Sequence, residues 1–379
     1  MEPERQLGMS VVEQLKSLRQ RARYGIYQFH ALPGVWKVHV ACFGTNDLPR
    51  VKSITGGGML PFEEAAEEAT RVFLGDLAPD EMAAKKADIV RAWFKNRTKP
   101  EEYYILGFDR LTDRQRAAFL SREDKDIILS YRGGSGRKYL LLHDKYRFYQ
   151  KFKPLYHRDV CMLQRSDDHR SFVNFCAKHS SFIAKNTQGH MGIGTVIRTH
   201  DGSEEGIRGE IEFLLSAGDA WIVEELIRQD KRMASLNPSS INTVRVCSRW
   251  NSKGFQVFET FIRMGRAGNV VDNIGSGGLS AEVDCTSGRV ISDAVDNRRH
   301  AFAAHPDSGV VLKGFQIPRW DELMELTRQA HEMIPDYHYV GWDFALSKDG
   351  WVIVEGNWGY FISQYLGKGA REAFMECFR

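Results

Sequence analysis

The chain predicts an α+β fold with a mostly helical N-terminal region, on three observations. From about residue 133 onward, short runs rich in β-branched and aromatic residues alternate with runs of helical period. Near the C-terminus two such runs are joined by Ser347-Lys348-Asp349-Gly350, whose Asp-Gly pair signals a tight hairpin and hence antiparallel pairing. Before residue 133 the apolar spacing is helical wherever it is regular.

Taken in order, residues 1 to about 30 read as a helix, with Val12, Leu15, Leu18, Tyr24 and Tyr27 on one stripe. A loop containing Gly56-Gly-Gly58 follows. Helices are expected over Phe62–Leu74 and Asp80–Phe94, started by Pro61 and Pro79, and over Thr112–Leu120. Strands are expected at Tyr139–Leu142, Phe182–Lys185, Trp221–Leu226, Thr243–Arg249, Phe255–Arg263, Gly278–Val283 and Val352–Glu355. Helices are expected at Lys145–Lys153, Asp168–His179, Gly206–Ser216 and Arg319–Ile334, the last ended by Pro335. The organisation expected is an N-terminal helical region (1–132), a smaller α+β lobe (133–222) and a larger one (223–379).

Composition narrows the function classes. A length of 379 residues, 42% hydrophobic and 27% charged, is ordinary for a globular protein of two or three domains. A formal net charge of +3 is too balanced to argue for nucleic acid or an acidic membrane surface. No apolar run approaches the roughly 18 residues of a membrane span, and the charged start lacks a signal-peptide core. The six cysteines form no Cys-x-x-Cys pair, which favours reduced thiols and a cytoplasmic setting.

Chemistry-bearing residues cluster in the second half. Asp343, Glu355 and Asn357 flank the hairpin, and Glu355 and Asn357, two apart, share a strand face. Two carboxylates and an amide oxygen suit a hard divalent cation that also holds phosphates. Phe182 to Gly194 reads as a strand ending in Lys185, then a loop with Gly189, Gly192 and Gly194 whose amides can approach an anion. Glu224 and Glu225 end an apolar strand. Arg245 lies within a β-branched strand and needs a partner if buried. Asn273 and Gly277-Gly278 form a second glycine loop, preceded by Arg263 and Arg266. Each element alone also has a plain structural reading: a turn, an edge strand or a salt bridge.

In this order the residues resemble the ATP-grasp superfamily of ATP-dependent carboxylate ligases. Lys145 and Lys185 look like its two phosphate-binding lysines, and Gly189, His190, Gly192 and Gly194 its glycine-rich lid. Glu224, Glu225 and Ile227 resemble the adenosine hinge, and Asn242-Thr-Val-Arg245 the arginine strand. Asn273, Gly277 and Gly278 resemble the Asn-x-x-x-Gly-Gly loop, and Asp343, Glu355 and Asn357 the metal ligands. Tyr103-Tyr-Ile-Leu-Gly-Phe108, His143-Asp-Lys145, Leu236 to Arg245 and Val340-Gly-Trp-Asp343 are similar to the sugar-transfer associated group of that superfamily. Two departures stand out: Trp358-Gly-Tyr360 replaces a Pro-Gly, and Gly189-His-Met191 replaces a Gly-Gly-Lys.

The resemblance implies an ATP-grasp fold, two α+β lobes holding ATP between antiparallel sheets. It implies ATP with Mg²⁺ or Mn²⁺ as cofactors, and small-molecule carboxylate and amine substrates. It also implies amide formation through an acyl phosphate, with Arg245, Arg263 and Lys185 as the catalytic cations. A homodimer is an assembly it allows. The substrate is left open between a sugar acid and an amino acid. Phosphoryl transfer to a hydroxyl, or nucleotide binding without catalysis, stays open as an alternative on the same fold.

Overall fold

The computed structural model describes residues 48–132, 136–166, 169–187, 194–266, 268–269, 271–358 and 361–379, with Gly25 alone from the first 47; the side chains of residues 136–139 and 362 are outside that set. The helix expected over residues 1–30 therefore lies outside the described residues. The chain divides into two compact units, residues 1–135 with 363–378, and residues 136–362 with Arg379. Among the described residues no helix is long and apolar enough to cross a membrane.

In the first unit, β1 (Val51–Lys52) pairs antiparallel with β2 (Met59–Leu60), and helices α1 (Phe62–Leu74), α2 (Pro79–Asn96), α3 (Pro100–Ile105), α4 (Asp113–Arg116) and α5 (Arg122–Arg132) follow. Phe62, Ala65, Ala66 and Ala69 make the buried stripe of α1, the i, i+3, i+4, i+7 spacing expected of an amphipathic helix. Asp88 of α2 takes two bonds from Arg116, at 3.0 and 2.6 Å, and one from the Tyr103 hydroxyl, joining three helices at one carboxylate. The returning C-terminal segment belongs here as well. The Gln364 amide accepts from the Leu120 N–H at 2.6 Å and donates to its carbonyl at 2.9 Å, and Arg371 pairs with Asp124.

The second unit begins with α6 (Gly136–His143) and α7 (Lys145–Phe152). The strand expected at Tyr139–Leu142 is thus helical. Four apolar residues are too few to separate a strand from a turn of helix, and Leu142 joins the core with Phe148 and Phe152 of the next helix. Asp144 caps α7, accepting from the Tyr146 and Arg147 amides at 3.0 and 2.9 Å.

Two antiparallel sheets follow. The smaller contains β3 (Val160–Gln164), β4 (Ser181–Asn186), β5 (Thr195–Thr199) and β6 (Ala220–Glu225), in the order β3-β6-β4-β5. Helices α8 (Arg170–Cys176) and α9 (Glu204–Ala217) share a core with its Leu163, Phe182, Ala184, Trp221 and Val223. The alternate residues Lys185 and Glu224 turn to the opposite face.

After the short helix α10 (Lys231–Ala234), the larger sheet comprises β7 (Val244–Asn251), β8 (Gly254–Met264), β9 (Leu279–Val283), β10 (Ala294–Val295), β11 (Ala301–Phe302), β12 (Tyr339–Leu346) and β13 (Trp351–Asn357). Its order is β11-β10-β9-β8-β7-β12-β13, with α11 (Trp320–Glu332) preceding the last hairpin. Leu323, Leu326 and Ala330 of α11 form one core with Val244, Val246, Ile262, Trp342, Phe344 and Ile353. Arg245, Arg263 and Asp343 alternate with these residues and face the other way.

Candidate active site

That polar face is built by strand alternation and one irregularity. Across the sheet, Arg245 pairs with Asp343, and Asp343 with Glu355. The β12–β13 register shifts between Asp343 and Phe344, because Phe344 pairs with Ile353 and Asp343 with Glu355. Val354 is therefore an extra residue, a β-bulge. Without it Asp343 would oppose Val354, and Glu355 would point into the apolar core. The bulge is what places Glu355 beside Asp343, and Asn357 follows on the same face opposite Gly341.

Asp343 is buried and held by three N–H groups. Arg245 donates through Nε and, at 2.7 Å, through Nη2; Arg263 donates through Nη1 at 2.7 Å. Burial alone would raise its pKa, but the two guanidinium groups hold the carboxyl well below the usual carboxylate range. Glu355 goes the other way. Burial first, and then the adjacent Asp343 carboxylate with which it shares a hydrogen bond, push it up. The Asn357 amide nitrogen lies 3.4 Å from Glu355 Oε1, while its Oδ1 is buried with no hydrogen-bond partner among the described residues.

This set fits a hard divalent cation. Of the roughly four lone-pair positions of a carboxylate, the arginines use three on Asp343. That leaves one position on Asp343, beside the Glu355 carboxyl, open to a cation. The orphaned Asn357 oxygen supplies a third donor of the hard oxygen type. Among the described residues no group of three or more His, Cys, Asp or Glu side chains is placed to hold a metal without such an amide.

Lysines face the carboxylates. Burial pushes the Lys145 ammonium down, the nearby Glu355 pulls it up and Lys185 pushes it further down. Lys185 donates to Glu224 Oε1 at 2.8 Å. Glu224 also takes Arg158 on Oε2, through Nε at 2.9 Å and Nη2 at 2.6 Å. Burial would raise Glu224, yet Arg158 and Lys185 bring it down to about 2. Glu225 accepts the Asp159 amide at 3.2 Å, and Ile227 lies in the loop after β6.

Two residues here were not singled out by sequence reasoning. Arg158 follows the aromatic cluster of α7 and carries no motif. Asp272, buried, accepts from Arg263 Nη2 at 2.9 Å and from the Thr243 amide at 3.0 Å, and so aims Arg263 at Asp343. A buried arginine within a strand, which the sequence does show, implies a carboxylate partner of this kind.

The loop of Asn273, Gly277 and Gly278 differs from its expected anion nest. Its amides are bonded within the loop: Gly275 to Asn273 Oδ1, Ser276 and Gly278 to the Asn273 carbonyl, and Gly277 to the Ile274 carbonyl. The Asn273 side chain takes the Gly275 amide, and backbone carbonyls of the loop take the other amides an anion would need. Gly278 is required for close approach, since a Cβ there would lie 2.4 Å from the Asp272 carbonyl oxygen. The loop thus fixes Asp272. Gly194 is described, with its carbonyl accepting from the Asn186 amide at 2.8 Å; Gly189, His190 and Gly192 lie outside the described residues.

The smaller antiparallel sheet carries Lys185 and Glu224, α7 begins at Lys145, and the larger sheet carries clustered carboxylates and arginines. Residues 129–370 match the sugar-transfer associated ATP-grasp family, more than half of the chain, and the chain belongs to that family. No curated protein matches it. Distantly similar solved structures include the VanG D-Ala:D-Ser ligase from Enterococcus faecalis (10% identity, 67% of this chain and 68% of that chain, TM-score 0.42). Others are the N5-carboxyaminoimidazole synthetase from Staphylococcus aureus complexed with ADP (10%, 68% and 58%, 0.40) and the D-alanine-D-alanine ligase from Coxiella burnetii (9%, 67% and 62%, 0.38). This chain spans less than two thirds of the length of the latter two, and the likenesses concern fold alone.

Proposed function

We propose that the protein is an ATP-dependent carboxylate–amine ligase, and that Asp343, Glu355 and Asn357 are its Mg²⁺ (or Mn²⁺) ligands. The observation that carries this reading is the convergence of the three residues on one hairpin face, with Asn357 Oδ1 buried and unpartnered among the described residues. In this reading a substrate carboxylate oxygen attacks the γ-phosphorus of ATP. The bond to the leaving ADP oxygen breaks and an acyl phosphate forms. The amine nitrogen then attacks the acyl carbon, phosphate departs with the C–O bonding pair, and the nitrogen loses a proton. The divalent ion, when bound, supplies charge neutralisation at the phosphates.

The side chains of this chain do the rest by position and charge. Arg245 and Arg263 keep Asp343 ionised, and Arg245 Nη1 bonds to no other group among the described residues, leaving a cationic edge for developing phosphoryl charge. Lys145 and Lys185 are assigned to the ATP phosphates, with Glu225 and Ile227 at the adenosine; Glu224, expected there too, has its carboxylate bonded to Arg158 and Lys185 instead. The assignment of Gly189, His190, Gly192 and Gly194 to a phosphate-covering lid, and the division into lobes at 133–222 and 223–379, rest on the sequence. The family description favours a sugar acid as the carboxylate, with an amino acid as the alternative.

The test is turnover of purified protein with ATP, Mg²⁺ and a panel of sugar acids, amino acids and amines, following ADP, free phosphate and product mass. ADP with equimolar phosphate and an amide product supports the ligase. ADP with a phosphorylated product and no free phosphate contradicts it in favour of phosphoryl transfer.

A further inference from the structure

Arg158 stands just before β3, with a side chain only 4% exposed and all its polar capacity directed inward. Nε and Nη2 bond Glu224 Oε2; Nη1 bonds the Tyr156 carbonyl at 3.1 Å and the Ile353 carbonyl at 2.7 Å; the guanidinium carbon lies 4.1 Å from the Tyr156 ring centre. It therefore ties β6 of the smaller sheet to β13 of the larger, two residues before Glu355. The Glu224 carboxylate is divided between two cations, with Arg158 on Oε2 and Lys185 on Oε1.

That division has a consequence for Lys185. A buried carboxylate strongly favours keeping a cation. If Lys185 were its sole partner, moving the ammonium to any other anion would leave Glu224 uncompensated in a site that is 2% exposed. With Arg158 in place, bound through two N–H groups to Oε2 and oriented by two carbonyls, Glu224 remains paired when Lys185 leaves. We propose that Arg158 is a positioning residue that shares the Glu224 carboxylate so that the Lys185 ammonium is free to turn to a nucleotide phosphate. The nucleotide half of this statement rests on the reading given under Proposed function; the sharing itself does not.

The experiment compares wild type, Arg158→Met, Glu224→Gln and the double variant. One readout is the rate at which Lys185 is acylated by an amine-reactive ester without nucleotide, followed by peptide mass spectrometry. The other is the Kd of a non-hydrolysable ATP analogue with Mg²⁺. Arg158→Met is expected to slow acylation and weaken the analogue by about tenfold each, the scale of one charge-assisted hydrogen bond. In the Glu224→Gln background the same change is expected to alter either by less than about twofold, because no carboxylate is left to trap the lysine. Equal losses in both backgrounds would overturn the proposal and leave Arg158 a brace for the two carbonyls.

Arg158→Lys keeps the cation and loses the fork, and is expected to retain both readouts within about threefold. A fall to the Arg158→Met level would also overturn the proposal. Should Arg158→Met not fold, Arg158→Gln takes its place in both backgrounds and is judged by the same outcomes. The expected acylation pattern in a wild type that binds no analogue would refute the nucleotide reading while supporting the sharing of Glu224.

Discussion

On β7, Val244 and Val246 turn to one side of the larger sheet and Arg245 to the other; on β12, Trp342 and Phe344 oppose Asp343 in the same way. The apolar side packs against α11 and holds the sheet together. The polar side gathers two arginines, two carboxylates and an amide that stabilise one another only in part, since burial and the Asp343 carboxylate push Glu355 up and Asn357 Oδ1 has no hydrogen-bond partner among the described residues. The same strands thus separate stability from chemistry by strand alternation, and substitutions on the two sides should be distinguishable by what they damage.

The largest effect is expected on the apolar side. Trp342 is fully buried, its ring 5.3 Å from Phe152, its indole N–H on Ser248 Oγ at 2.8 Å. Trp342→Ala should cost about 3–5 kcal/mol of unfolding free energy by urea titration. A loss below about 1 kcal/mol would break the comparison.

His331 is next, and it lies on the same side. It bonds Ser248 and the Tyr337 carbonyl, and burial brings its pKa down to about 4 from the model-compound 6.5. The folded protein keeps the ring neutral while the unfolded chain takes up the proton first. The stability it contributes is therefore complete above about pH 6.5 and is lost as pH falls to about 4, by about 3 kcal/mol over that span. His331→Gln should remove that part of the pH dependence in denaturation curves near pH 7 and pH 4.5; an unchanged slope would contradict the burial argument.

Much of this contrast was legible in the sequence, and what was missed has physical reasons. Long periodic segments such as Phe62–Leu74 and Phe255–Arg263 fold as expected, because helical period or alternation runs long enough to be unambiguous. The Asp-Gly turn located the hairpin: the Ser347 amide bonds the Gly350 carbonyl at 2.9 Å. Its register was not legible. Plain pairing from that turn would have sent Glu355 into the core, and only the bulge at Val354, which no turn residue announces, reverses it. Arg158 and Asp272 escaped notice because each pairs across a turn or a loop, with Glu224 66 residues on and with Arg263 nine residues back, and a pairwise contact leaves no local period.

A smaller effect on stability, paired with a large one on activity, is expected on the polar side. Glu355→Gln removes a carboxyl that is held next to Asp343, so stability near neutral pH should change by no more than about 1 kcal/mol, or rise. ATP turnover should fall by about 100-fold or more. A protein that loses stability but keeps turnover would reverse the roles given to the two faces.

The central claim, that this face holds a divalent ion with a nucleotide, is tested most directly by titrating Mn²⁺ into the protein with ADP and following free Mn²⁺ by electron paramagnetic resonance, for wild type and Asn357→Ala. The expected result is stoichiometric binding in wild type, weakened by about tenfold or more in the variant, with the two urea curves superimposed. Equal Mn²⁺ affinity in the two proteins, or no nucleotide-dependent Mn²⁺ binding in either, would contradict it.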